Sequence, residues 1–144
     1  MRIYLDNCCF NRPFDDQRHL RIRLESEAKL RIQEAVRDGE FQLAWSYVLD
    51  FENSNNPFPD RRERIRAWRM SAAVDCVESP AVKAAAGSFA QIGLRRMDAL
   101  HVACAVSAGC AYFITTDDQV LEKADRIHEV KIVDPIEFIK KELS

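Results

Sequence analysis

Short apolar runs recur along the chain, each followed by a stretch long enough for a helix, and this alternation leaves few folds open. Residues 2–5, 41–45, 74–77, 112–115 and 130–133 read as strands. Leu20, Leu24, Ala28, Ile32 and Ala35 are spaced to share one face of a helix over 20–36. Asp38-Gly39 stops that helix, since glycine accepts the left-handed conformation of a C-cap. Ser46 reads as the N-cap of a helix through Glu52, which Asn53-Ser54-Asn55-Asn56-Pro57 breaks. An arginine-rich helix spans 59–71, Ser79-Pro80 starts another that ends near Gly93, and the next runs over 96–108. Residues 118–124 form a short helix, and Asp134-Pro135-Ile136-Glu137 is a capping box that opens the last one. Strands separated by helices need right-handed crossovers, which give a mostly parallel sheet covered on both faces. The expectation is α/β: a three-layer α/β/α sandwich with four or five strands, one domain over residues 1–144.

Several function classes drop out. No apolar run approaches the roughly 20 residues that cross a bilayer, and the polar N-terminus does not resemble a signal peptide. A cytoplasmic protein with no membrane partner is therefore expected. The five cysteines (Cys8, Cys9, Cys76, Cys104, Cys110) are odd in number, with no CxxC pair and no zinc-type spacing with histidine. They read as reduced and structural, and His101 with Cys104 reads as packing on one helix face. The net charge of −2 does not announce nucleic acid, but the arginines cluster. Arg61, Arg62, Arg64, Arg66 and Arg69 crowd one stretch, and Arg12, Arg18, Arg21 and Arg23 group near the N-terminus. Such arginines can hold a phosphate backbone; equally, they can form a solvated helix face with Asp60 and Glu63 as partners.

The acids carry more. Two of the apolar runs stop at a carboxylate, the first at Asp6 and the fourth at Asp117, and Asp98 opens an apolar helix between them. Singly, Asp6 and Asp117 read as turn or cap residues, Asp98 as a complement to a helix dipole, and Glu52 as a solvated acid. Together all four fall at or near loops on the carboxyl edge of one sheet, where ligands of parallel α/β folds bind. Converging carboxylates repel unless a cation joins them, and hard oxygen ligands suit Mg²⁺ or Mn²⁺. The chemistry implied is hydrolysis of a phosphate ester or phosphodiester by metal-activated water.

Ile3-Tyr4-Leu5-Asp6-Asn7, the segment from Ser46 to Glu52, Asp98-Ala99-Leu100-His101-Val102-Ala103 and Thr115-Thr116-Asp117 stand in register with a known pattern. Over essentially its full length the chain resembles the PIN-domain family, metal-dependent nucleases that include the VapC-like ribonuclease toxins of bacterial toxin–antitoxin pairs. The resemblance implies that Asp6, Glu52 and Asp98 are the core metal-binding acids and Asp117 the fourth, supported by Thr115. Asp118 is an alternative to Asp117, and Asp50 to Glu52. It further implies endoribonuclease activity leaving 5′-phosphate and 3′-hydroxyl ends, a small antitoxin protein as partner, and a homodimer paired through the 20–36 or 59–72 helix. Arg12, Arg61, Arg62 and Arg66 are the candidates for contact with the RNA substrate.

One departure stands out. Many members follow the first aspartate with a small hydroxyl residue and then asparagine, whereas this chain has Asn7-Cys8-Cys9. Asn7, or Asn11, would serve in the asparagine's place. His101, one helical turn beyond Asp98, is expected in the core or behind the ligands. Two other readings remain: a catalytically silent PIN-like module that binds RNA or protein, and an Asp-nucleophile phosphatase. The latter generally carries a second aspartate two positions after the first, and here that place is Cys8.

Overall fold

The computed structural model describes residues 1–143, with five strands in one sheet. Strands β1 (Arg2–Leu5), β2 (Gln42–Ser46), β3 (Ala72–Cys76), β4 (Tyr112–Ile114) and β5 (Lys131–Val133) lie in the order β3-β2-β1-β4-β5. Every neighbouring pair is parallel, with Tyr4 of the central strand opposite Ala44 on one side and Phe113 on the other. Successive residues of a strand point to opposite faces. Ile3, Tyr4 and Leu5 are all fully buried, so both faces of the sheet are covered, as the alternation predicts.

The order of the strands also fixes where a ligand can sit. The chain adds β2 and β3 on one side of β1, then returns to add β4 and β5 on the other. Such a reversal opens a crevice at the carboxyl ends of the two strands that flank it, here β1 and β4. Asp6 follows the first directly, and Asp117 lies three residues beyond the second.

Eight α-helices complete the described fold: α1 (Asn7–Asn11), α2 (Leu20–Arg37), α3 (Tyr47–Ser54), α4 (Pro59–Ala67), α5 (Pro80–Ile92), α6 (Arg96–Ser107), α7 (Asp118–Leu121) and α8 (Pro135–Glu142). Their starts follow local chemistry. Ser46 accepts from the Leu49 N–H, Ser79 from Val82 and Asp134 from Glu137, each cap worth about 1 kcal/mol. Gly93 ends α5 with φ of 118°, a conformation that other residues strongly resist. None of these helices is long and apolar enough to cross a membrane.

Three expectations need correction. Helix α1 lies where a loop was expected: Asp6 caps it through the Asn7 N–H, and buried Cys9 and Phe10 anchor it. Five residues are too few to show a helical period. Residues 68–71 form a 3-10 turn after α4 rather than continuing it, and β3 begins at Ala72 rather than at 74. The face of α2 is also rotated from the one read off its leucines. Leu20 and Leu24 are exposed, whereas Glu25, Lys29 and Gln33 are buried beside Ile32. Glu25 can be buried because Arg12 reaches it at 3.0 Å, and Lys29 because its stem and amine lie among aromatic rings.

Candidate metal centre

Each of the four acids singled out by the sequence lines one cavity of about 380 Å³ at the β1/β4 crevice. The backbone delivers them from four directions. Asp6 leaves the end of β1, Glu52 comes from the second turn of α3, Asp98 from the first turn of α6, and Asp117 caps α7 by accepting from Gln119. The alternatives at two of these places lie elsewhere. Asp118 makes a bidentate pair with Arg21, and Asp50 accepts from the Trp45 indole at 2.9 Å.

The buried carboxylate of Asp6 is the most tightly fixed. Its Oδ1 accepts from the Asn7 backbone at 2.8 Å, and its Oδ2 accepts from the Thr115 hydroxyl at 2.8 Å and from the Cys8 thiol at 3.5 Å. Thr115 in turn accepts from the Asp117 N–H at 3.1 Å, so one hydroxyl ties the first acid to the loop that carries the fourth. Cys8, two residues after Asp6, thus adds a thiol contact to it, while Asn7 holds the place directly after the aspartate. Asn7, not Asn11, faces the cavity, and its side-chain oxygen is buried without a partner. Asn11 is turned away, donating to the Asn7 carbonyl and accepting from Asn56.

Glu52 is held from behind by a chain of three groups. Ser46, Tyr4, His101 and Glu52 are linked in sequence by hydrogen bonds, with 2.6 Å from Ser46 to Tyr4 and 2.6 Å from Tyr4 to His101 Nδ1. An ionised carboxylate has no proton to give, so His101 Nε2 is the donor to Glu52. The fully buried ring also lies 3.7 Å from Asp6. Burial works against the imidazolium, but the hydrogen bond to Glu52 and the charges of Asp6, Glu52 and Asp98 outweigh it, raising the ring's pKa above its ordinary value. His101 therefore stands behind the acids, as its place on α6 suggested.

Arg95 is the group that sequence reasoning missed. Its guanidinium donates to Asp98 at 2.7 Å and also to Asp117, bridging the third and fourth acids. Position alone was the available signal: a cation one helical turn before Asp98, at the N-cap, where cations are unfavourable. The arginines that the sequence did single out lie elsewhere. Arg12 is taken up by Asp15 and Glu25, Arg61 by Asp15 and the Phe14 carbonyl, and Arg62 by the Asn56 carbonyl. Arg66 lines a separate cleft with Asp50 and Glu63.

The donor set fits a hard divalent cation. The cavity sets four carboxylates against one guanidinium, and Asn7, which also lines it, has a side-chain oxygen buried without a partner. Asp98 shows the resulting stress: burial, with the Asp6 and Asp117 charges, pushes its pKa up despite Arg95. Ligand atoms of Asp6, Glu52 and His101 lie within 4.8 Å of one another, close enough to share an ion. With His101 Nε2 occupied as a donor to Glu52, the oxygens are the groups free to ligate, which favours Mg²⁺ or Mn²⁺ over softer metals.

No protein-family model matches the sequence, and no curated protein does. Solved structures do resemble the fold. FitAcB from Neisseria gonorrhoeae superposes with a TM-score of 0.57 at 16% identity, covering 93% of this chain and 98% of that one. VapBC2 from Rickettsia felis, bound to a DNA fragment from their promoter, superposes with a TM-score of 0.59 at 12% identity, covering 92% and 97%. At such identity the likeness speaks for the fold, and the fold is the PIN-like α/β sandwich that the sequence motifs imply.

Proposed function

We propose that this chain is a Mg²⁺- or Mn²⁺-dependent endoribonuclease that hydrolyses RNA phosphodiester bonds, and that it acts in the cytoplasm as the toxin of a toxin–antitoxin pair. The observation that carries this reading is the convergence of Asp6, Glu52, Asp98 and Asp117 on one cavity with a single cation among them. A bound divalent ion would supply an acidified water and neutralise charge on the phosphoryl group under attack. Asp6 would be the principal ligand, because three donors fix its carboxylate and leave it no freedom to turn away. Asp98 would hold the first ion with it, with Glu52 and Asp117 binding through water or completing a second ion site.

His101 holds Glu52 in place through Nε2, and the Ser46–Tyr4 pair fixes the ring from its other side. Asn7 also lines the cavity, and its side-chain oxygen is buried without a partner. Arg95 is half-exposed and is the cavity's own cation. When a metal takes Asp98 and Asp117, the freed guanidinium is placed to meet a backbone phosphate bidentately. Arg12, Arg61 and Arg62, each already bonded to protein groups, would guide RNA at longer range at most.

Two partners belong to this proposal. A small antitoxin is proposed to hold the enzyme silent, and a second copy to pair with it through α2, whose Leu20, Leu24 and Leu30 are exposed. The test is incubation of the protein with a structured RNA in Mn²⁺, in Mg²⁺ and in EDTA, beside an Asp6→Asn/Asp98→Asn double variant. Cleavage that needs the metal and disappears in the variant is the expected result. Cleavage that persists in EDTA or in the variant overturns the proposal. Absence of both cleavage and metal binding would leave the silent RNA- or protein-binding module.

A further inference from the structure

A second cavity lies away from the acids, between α1, α2, α4 and the turn over 68–71, with a volume of about 580 Å³. Its lining has the opposite charge balance. Lys29, Arg37 and Arg64 contribute three cationic side chains, no acidic side chain lines it, and none of the three pairs with a carboxylate among the described residues.

Lys29 is only 3% exposed, which is unusual for an unpaired ammonium. Its Nζ lies 5.2 Å from the Phe10 ring centre and 5.8 Å from that of Trp68. One turn along the same helix, Gln33 is 4% exposed, and its side-chain nitrogen is buried without any acceptor. A buried donor left unmade costs about 1–3 kcal/mol. The two donors thus share one pocket, neither with an acceptor, and the Phe10, Phe14 and Trp68 rings supply its apolar walls. Burial also pushes the Lys29 amine down to about 7, so an anion brought beside it would restore its charge.

We propose that this cavity is a binding site for a small organic anion. Its carboxylate or phosphate ester would accept from Lys29 and Gln33, and its flat apolar body would lie against the half-buried rings of Phe14 and Trp68. The volume falls within the range of ordinary small-molecule pockets. The donors call for acceptors, the cations call for negative charge, and the rings call for apolar surface. A bare inorganic anion meets only the first two needs, and a neutral aromatic amide only the first and third. The inference is independent of the nuclease reading.

The test uses calorimetric titration of the whole protein with indole-3-acetate, indole-3-acetamide, phenyl phosphate and inorganic phosphate. NMR shifts of the Trp68 indole would locate the binding. Saturable binding of at least one aromatic anion is expected, about tenfold or more tighter than the amide and than inorganic phosphate. Which of the two aromatic acids binds better separates a carboxylate site from a phosphate-ester site. Lys29→Met, which keeps the volume and removes a buried charge, should fold and should lose about tenfold or more of the anion affinity while leaving the amide unchanged. Gln33→Leu should lose less. Equal affinity for acid and amide, an unaffected Lys29→Met, or no saturable binding of either aromatic anion would each overturn the proposal.

Discussion

The molecule contains two polar cavities that are charge opposites. One gathers four carboxylates around a single arginine; the other gathers a lysine and two arginines with no acid. Both lie against α1, whose Cys8 faces the first and whose Phe10 lines the second. Neither is what a chain selected only for stability would build, because like charges held together resist folding. The two nevertheless differ in how firmly they are made. Asp6 has three donors and Glu52 a relay behind it, so the acids are held ready for a ligand. Lys29 and Gln33 have no polar partner and are held by packing alone. The comparison teaches that like charge gathered without compensation is what the two proposed sites have in common, a cation being proposed for one cavity and an anion for the other.

The largest effect expected is on catalysis. Asp98→Asn should lower metal-dependent RNA cleavage by about a thousandfold or more, or about 4 kcal/mol of barrier. Because burial already disfavours the ionised carboxyl, the same change should cost no melting temperature in the absence of metal. A variant that is unfolded, or one fully active, would break the contrast between holding a ligand and holding the fold. Phe10→Ala should do the reverse. This fully buried ring packs edge-on against Trp45, and its loss should destabilise the protein by about 3–5 kcal/mol in chemical denaturation.

Lys29→Met comes next and should stabilise the protein by about 4 kcal/mol near pH 7. The pH dependence has a definite sign. The native amine, pushed down to about 7, binds fewer protons than the unfolded chain above that pH. Its penalty therefore shrinks as pH rises, by about 1.4 kcal/mol per unit, until the unfolded lysine also titrates near 10.4. The advantage of Lys29→Met over the parent should be fully present below pH 7 and fade between pH 7 and 10. The thiols act oppositely above about pH 8.5, since burial raises Cys9 and Cys104 and pushes Cys110 up to about 12. Taking the difference between variant and parent cancels that contribution.

Two smaller effects sharpen the acid side. His101→Phe should weaken Mn²⁺ binding or cleavage by about 10–100-fold, the usual consequence of losing a group that orients a ligand. Arg95→Ala should tighten Mn²⁺ binding by a few fold (under about 1.4 kcal/mol), since it removes the cation that competes for Asp98 and Asp117. Its cleavage rate at saturating metal should nonetheless fall, because the guanidinium is then missing from the phosphate. Calorimetry and saturation kinetics on the same sample separate the two.

Much of this arrangement is legible in the chain itself. The alternation of buried runs and capped helices gave the parallel sheet, and the strand order then brings Asp6 and Asp117 to the point where the topology reverses. What escaped the sequence was decided by tertiary partners. Leu20 and Leu24 looked like the buried face of α2, but Arg12 across the fold allows Glu25 to take that side, and rings of two other elements enclose Lys29. Arg95 escaped because an arginine before a helix carries no signature of its own, and its meaning comes from Asp117, twenty-two residues away. The arginine cluster over 61–69 was legible as a cluster, but its partners were not. Density in sequence suggested a phosphate track, yet Arg61 and Arg62 are bonded to backbone carbonyls.

Thermal melting with and without Mn²⁺ tests the central claim most directly, in the parent, in Lys29→Met and in the Asp6→Asn/Asp98→Asn double variant. Metal at about a hundred times its dissociation constant adds about 2.7 kcal/mol to a fold that binds it. The parent and Lys29→Met should both melt several degrees higher in Mn²⁺, and the double variant should not move. An equal shift in all three, or no shift in the parent, would mean that the four acids do not form a metal site.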